Sequence, residues 1–209
     1  MDSQSVGRLV ERPSGPLEPR LREALAAIDA VHRVTDLPTI PVTYGARRFG
    51  GYTPLTDDGI RCIVVSPIGP HPRLTLLHEM GHYLDDRMGN FTVYSSTQPD
   101  SILSDVLRVI ERSHAVKLMR AYLAEAADMP IAINYQLRHW LEPVEGWARA
   151  YVQYIVSRSE NIELRNDLTV QWSLGASRYI AMSNGQTMIS YPSQSRSMRY
   201  FKYWGGDDD

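Results

Sequence analysis

The order of hydrophobic patterns along this chain predicts an α+β domain, with a small mixed sheet packed on helices. Three observations carry that expectation. Apolar residues recur at helical spacing between positions 17 and 34, short β-branched runs follow at 39–44 and 60–66, and long helix-spaced patterns occupy much of the chain from about 73 onward.

The elements follow in order. Residues 1–16, rich in Ser, Pro, Gly and Arg, read as a flexible arm. Leu21, Leu25, Ile28 and Val31 mark one face of a helix, which Pro38 and Pro41 bring to an end. Thr39–Tyr44 and Ile60–Ser66 read as strands, separated by turns at Gly50-Gly51 and Asp57-Asp58-Gly59. Pro67, Gly69, Pro70 and Pro72 then lead into a helix from about Arg73 to Arg87, with Gly89-Asn90 as its stop. One long helix is expected from Ser101 to Asp128, stopped by Pro130. Another begins near Pro143 and runs to about Ser157, with Trp147, Tyr151, Tyr154 and Ile155 on one face. The stretch from Ser159 to Trp204 shows no clear periodicity, and 205–209 reads as a disordered acidic tail. Residues 17–204 are thus expected to form a single domain.

Composition excludes several classes of function. The 22 Lys and Arg against 24 Asp and Glu leave a net charge of −2, so nothing suggests a nucleic-acid surface and no nucleic-acid partner is expected. No apolar run is long enough to span a bilayer. The N-terminus lacks the pattern of a signal peptide, and the expected location is cytoplasmic, with delivery elsewhere only by a non-classical route. Cys62, the single cysteine, allows no internal disulfide and reads as a buried, inert residue. Nothing in the pattern speaks to oligomeric state.

The chemistry-bearing motif is His78-Glu79-Met80-Gly81-His82, an HExxH pattern on the expected helix 73–87. Histidines four apart lie one helical turn apart on the same face, so both imidazoles can grip one Zn²⁺ ion. Glu79, next to the first, is placed to act as a general base on a zinc-activated water. Leu76, Leu77, Met80 and Leu84 are available to bury the rest of the helix. A catalytic zinc takes three protein ligands and leaves one position open. The metzincin pattern would need glycine at 85 and histidine at 88; those residues are Asp85 and Met88. Among later candidates, His114 sits mid-helix and His139 lies beside Trp140, so Glu145 is the preferred third ligand and Glu142 the fallback.

HExxH followed some 60 residues later by Glu145-Gly146-Trp147-Ala148-Arg149-Ala150 resembles the gluzincin metallopeptidases. The likeness is to the compact zincin-like domains of phage, mobile-element and toxin proteins, and it covers about residues 60–158. It implies a minimal zincin-like fold, zinc held by His78, His82 and Glu145, and hydrolysis of peptide bonds in a protein or peptide substrate. Thermolysin-like enzymes carry an acidic residue four positions after the ligand glutamate; here that position is Arg149, so the surroundings of the metal must differ.

Several residues have two readings. Asp85 is expected either to accept the second N–H of a ligating histidine or to face solvent as a helix-end acid. The Ile60–Ser66 strand is either an edge that pairs with an extended substrate by β-augmentation or an internal strand. Tyr191, Tyr200, Tyr203 and His139 are candidates for the donor that stabilises a tetrahedral intermediate, with no ground for choosing among them. The function expected is a zinc metallopeptidase with Glu79 as base, acting generally or on one specific protein. The alternative is a zincin-fold binding or assembly protein, phage- or toxin-associated, in which zinc is structural.

Overall fold

The computed structural model describes residues 10–11, 17–32, 40–45, 51–53, 62–90, 92–125 and 131–171. The described chain is mostly helical with a small sheet, an α+β arrangement. Strand β1 (Val10–Glu11) precedes helix α1 (Glu18–Val31); β2 (Ile40–Tyr44), β3 (Gly51–Thr53) and β4 (Cys62–Val65) complete a four-stranded sheet. The strand order is β1-β2-β4-β3, parallel at the first two pairings and antiparallel between β4 and β3. Val10–Glu11 belong to the stretch read as a loose arm, yet they pair with Ile40 and Pro41 and extend the sheet. The other residues of 1–16, and all of 172–209, lie outside the described residues.

β4 is an internal strand. Its register pairs Ile63 with Val42 on one side and with Tyr52 on the other, so neither edge is open to a substrate strand. Ile63 and Val65 are fully buried, as alternation in a strand with one core face requires. Cys62, expected to be buried, is only half-buried.

Helix α2 (Pro72–Met88) carries the HExxH motif. Pro72 sits in its first turn, where a missing N–H costs nothing. The helix ends at Gly89, followed by Asn90 at φ 57°, a left-handed stop that asparagine tolerates. Leu74, Leu76, Leu77 and Met80 are buried in one core cluster with Leu21, Leu25 and Ile28 of α1 and Ile63 and Val65 of β4. Each such aliphatic side chain contributes about 1.5–3 kcal/mol through removal from water.

The single long helix expected over 101–128 is two helices, α3 (Ser104–Arg112) and α4 (His114–Glu125). Ser113 breaks it with extended backbone at φ −60°, ψ 151°, and its Oγ accepts the Val116 N–H 3.3 Å away. That is N-capping by serine, a local signal that the helical periodicity masked. Helix α5 (Ile131–Trp140), which the sequence reading did not anticipate, follows Pro130. Helix α6 (Pro143–Arg158) buries Ala148, Tyr151, Val152, Ile155 and Val156, while Tyr154 turns outward.

The stretch after Ser159 is not wholly irregular: residues 162–171 form a further helix, α7. Asn161 Oδ1 caps it by accepting the Leu164 N–H at 3.0 Å, and Leu164 and Leu168 reach the core. Asp167 ties α7 to the start of α2 through Arg73, which also binds Glu23 of α1.

Candidate metal centre

α2 and α6 cross at Gly81. A Cβ there would lie 3.0 Å from Ala148 Cα and 3.4 Å from the Cβ atoms of Ala148 and Tyr151. Glycine facing alanine therefore lets the two backbones approach closely, and the Trp147 indole N–H pins the crossing by donating to the Gly81 carbonyl at 2.9 Å. Trp147 is two residues past Glu145, so this contact brings the first turn of α6 over the histidine face of α2.

The result is a triangle of ligand atoms. His78 Nε2 and His82 Nε2 stand 3.1 Å apart. Glu145 Oε1 lies 3.3 Å from His82 Nε2, and Glu145 Oε2 lies 3.5 Å from His78 Nε2. Tetrahedral zinc with ligands at about 2.0–2.2 Å requires them to be about 3.3–3.6 Å apart. The triangle has the size and donor chemistry of three corners of such a site, and its atoms are close enough to hold one metal ion. Burial alone would raise the Glu145 carboxyl, but hydrogen bonds and charge from His78 and His82 outweigh it and hold it well below the usual carboxylate range. Its place in the first turn of α6 favours the anion further.

Of the two glutamates, Glu145 enters the cluster. Glu142, at the N-cap of α6, instead faces His139, its Oε2 3.3 Å from Nδ1. His139 Nε2 lies 3.5 Å from Glu145 Oε1, so both imidazole nitrogens face carboxylates at the rim of the site. Glu79 is buried on α2 directly after His78. His114 is exposed and lies outside the ligand cluster.

Asp85 does not serve as the expected partner of a ligating histidine. It is fully buried and accepts both the Ser96 N–H at 2.7 Å and the Ser96 Oγ–H at 2.5 Å. Burial raises its carboxyl, against the Ser96 donors and the charge of His82. His82 Nδ1 is buried with no hydrogen-bond partner among the described residues. The helix repeat puts Asp85 near His82, but the turn Ser95–Thr97 claims both carboxylate oxygens.

That turn carries a residue that sequence reasoning missed. The Tyr94 ring packs edge-on to His82, with centroids 6.1 Å apart at an interplanar angle of 60°. Its phenol is pushed up to about 12 by burial and then by the charges of Asp86, Asp85, Glu79 and Glu145. No local pattern singled it out, because its place depends on the fold-back of a loop. Tyr191, Tyr200 and Tyr203 lie outside the described residues. Comparison with protein-family models, with curated proteins and with solved structures finds no match. No described helix is long and apolar enough to cross a membrane.

Proposed function

We propose that this chain is a zinc-dependent metallopeptidase of gluzincin type. One observation carries the reading: two imidazole nitrogens and a carboxylate from two crossing helices converge at 3.1–3.5 Å, with a buried glutamate directly after the first histidine. His78, His82 and Glu145 would hold the ion, leaving room for a substrate group as catalytic zinc sites do. Zinc in such a setting supplies Lewis-acid polarisation of a carbonyl and acidifies water. Glu79 then removes a proton from the attacking water and passes it to the leaving amine. The substrate is a protein or peptide, an assignment that rests on the resemblance of the paired motifs.

The test pairs metal content with cleavage. The purified protein is expected to carry about one zinc per chain. Glu79→Gln should keep that zinc and lose cleavage of a peptide library, because an amide preserves the shape but accepts no proton. Wild-type turnover in Glu79→Gln would remove Glu79 as the base. Zinc bound by a wild type that cleaves nothing would favour a structural metal in a binding or assembly protein.

A further inference from the structure

We infer that Tyr94 is the hydrogen-bond donor that meets the developing oxyanion of the scissile carbonyl, and that Asp85 is the positioning residue that holds it there through Ser96. The inference rests on the peptidase reading above and adds the group that reading lacks.

The placement is built from three contacts. Asp85, one turn beyond His82 on α2, takes two hydrogen bonds from Ser96. Those bonds fix the Ser95–Thr97 turn, and Thr97 donates both its N–H and its Oγ–H to the Tyr94 carbonyl, at 3.1 and 2.7 Å. At the other end of the loop, a Cβ on Gly89 would collide with the Val93 carbonyl oxygen. Glycine at that position is what allows residues 92–94 to fold back over the end of α2. The loop is therefore clamped on both sides of Tyr94, and the ring it presents lies against a metal ligand.

The competing donor is His139. Its Nδ1 lies 3.3 Å from Glu142 and its Nε2 3.5 Å from Glu145, so both nitrogens face carboxylates. The Tyr94 hydroxyl makes no hydrogen bond among the described residues, and its ring lies edge-on to His82. A phenol hydroxyl held beside the ligand cluster is a donor to an oxyanion forming there. Asp85 thereby acts on the reaction at one remove, by placing a loop.

The experiment compares Tyr94→Phe, which deletes one hydroxyl and keeps the ring, with His139→Gln. Zinc affinity is read by competition with a chromophoric chelator. Steady-state kinetics are read on a peptide that the wild type cleaves. Inorganic phosphate, a tetrahedral oxyanion, is titrated into cobalt(II)-loaded protein and read from the visible absorption bands. Tyr94→Phe should leave zinc affinity within about twofold, lower kcat about 100-fold with little change in KM, and weaken phosphate about tenfold. His139→Gln should leave phosphate affinity near that of the wild type. Ser96→Ala should lower kcat about tenfold with zinc retained, and Ser96→Thr, which keeps the hydroxyl, should restore it. Unchanged kcat and phosphate affinity in Tyr94→Phe overturns the donor assignment. So does a phosphate loss found in His139→Gln instead, or wild-type bands that do not respond to phosphate. Unchanged kcat in Ser96→Ala overturns the positioning role. Absence of any wild-type cleavage counts against the peptidase reading, while the phosphate arm, which needs no turnover, still decides Tyr94.

Discussion

The crossing of α2 and α6 and the arch of α3, α4 and α5 are built from similar amounts of apolar sequence but use it differently. At the crossing, Leu76, Leu77, Met80, Ala148 and Ile155 are all buried, and Gly81 meets Ala148 in close contact. In the arch, Leu103, Ile110, Val116 and Leu137 turn inward, while Ile102, Val109, Ile131 and Tyr135 are each more than 70% exposed. The three residues close enough to hold a metal ion, His78, His82 and Glu145, come from the first region alone. A ligand set must be held to a few tenths of an ångström, and only close packing on several sides achieves that. The arch has to connect α2 to α6, and helices secured by one or two inward residues suffice for that.

Five substitutions test the contrast and, apart from the paired control Glu142→Ala, they run in order of expected effect. The largest is Glu145→Ala. Structural zinc sites are worth about 10–16 kcal/mol in total, so losing one ligand should cost about 4 kcal/mol, or about a thousandfold in zinc affinity. Glu142→Ala, in the same helical turn but facing His139, should stay within about twofold of wild type in a chelator competition. Equal losses in the two variants would break the ligand assignment. The same assay has a pH sign. The Glu145 carboxyl is held below the usual carboxylate range, so its contribution to zinc affinity should persist as pH falls through that range and be lost only in stronger acid.

Leu77→Ala comes next. Leu77 is completely buried at the crossing, and truncation should destabilise the fold by about 2–5 kcal/mol, read from the urea midpoint. A loss under about 1 kcal/mol would mean the crossing is looser than its burial indicates. Gly81→Val should cost about 1–3 kcal/mol by overpacking against Ala148 and Tyr151. It should also weaken zinc binding, since the added bulk pushes the first turn of α6 away from His78 and His82. Retained zinc affinity in a stable Gly81→Val protein would show that the close approach is dispensable. The smallest effect belongs to the arch: Val109→Ser, at a position 71% exposed, should change stability by less than about 0.5 kcal/mol. A larger loss would reveal that this face is covered in solution.

Much of the site's raw material was legible in the chain. His78 and His82 share a face because of the 3.6-residue helical repeat, and Pro72 and Gly89-Asn90 bounded that helix before any fold was known. Local periodicity was least informative where caps interrupt it. Ser113 splits an apolar pattern that reads as continuous, and Asn161 starts a helix in a stretch that shows few apolar residues at helical spacing. Both signals are single side chains bonding to nearby backbone N–H groups, and a window average over many residues hides them.

By itself the sequence determined what a helix repeat or a strand alternation can determine: one helix with two histidines and a glutamate in order, short β-branched strands before it, and a second proline-led helix bearing two candidate glutamates. Tertiary structure alone decided which glutamate joins the histidines, because that depends on where α6 crosses α2. The crossing is set by the Gly81–Ala148 contact and by the Trp147–Gly81 hydrogen bond, which joins positions 66 residues apart. The tertiary fold likewise made β4 internal, gave Asp85 to Ser96 rather than to His82, and brought Tyr94 against the site. Each of these outcomes is a meeting between segments distant along the chain or across a loop. Local backbone periodicity sets the direction of a side chain within its own element, and packing against the other elements sets what that side chain meets.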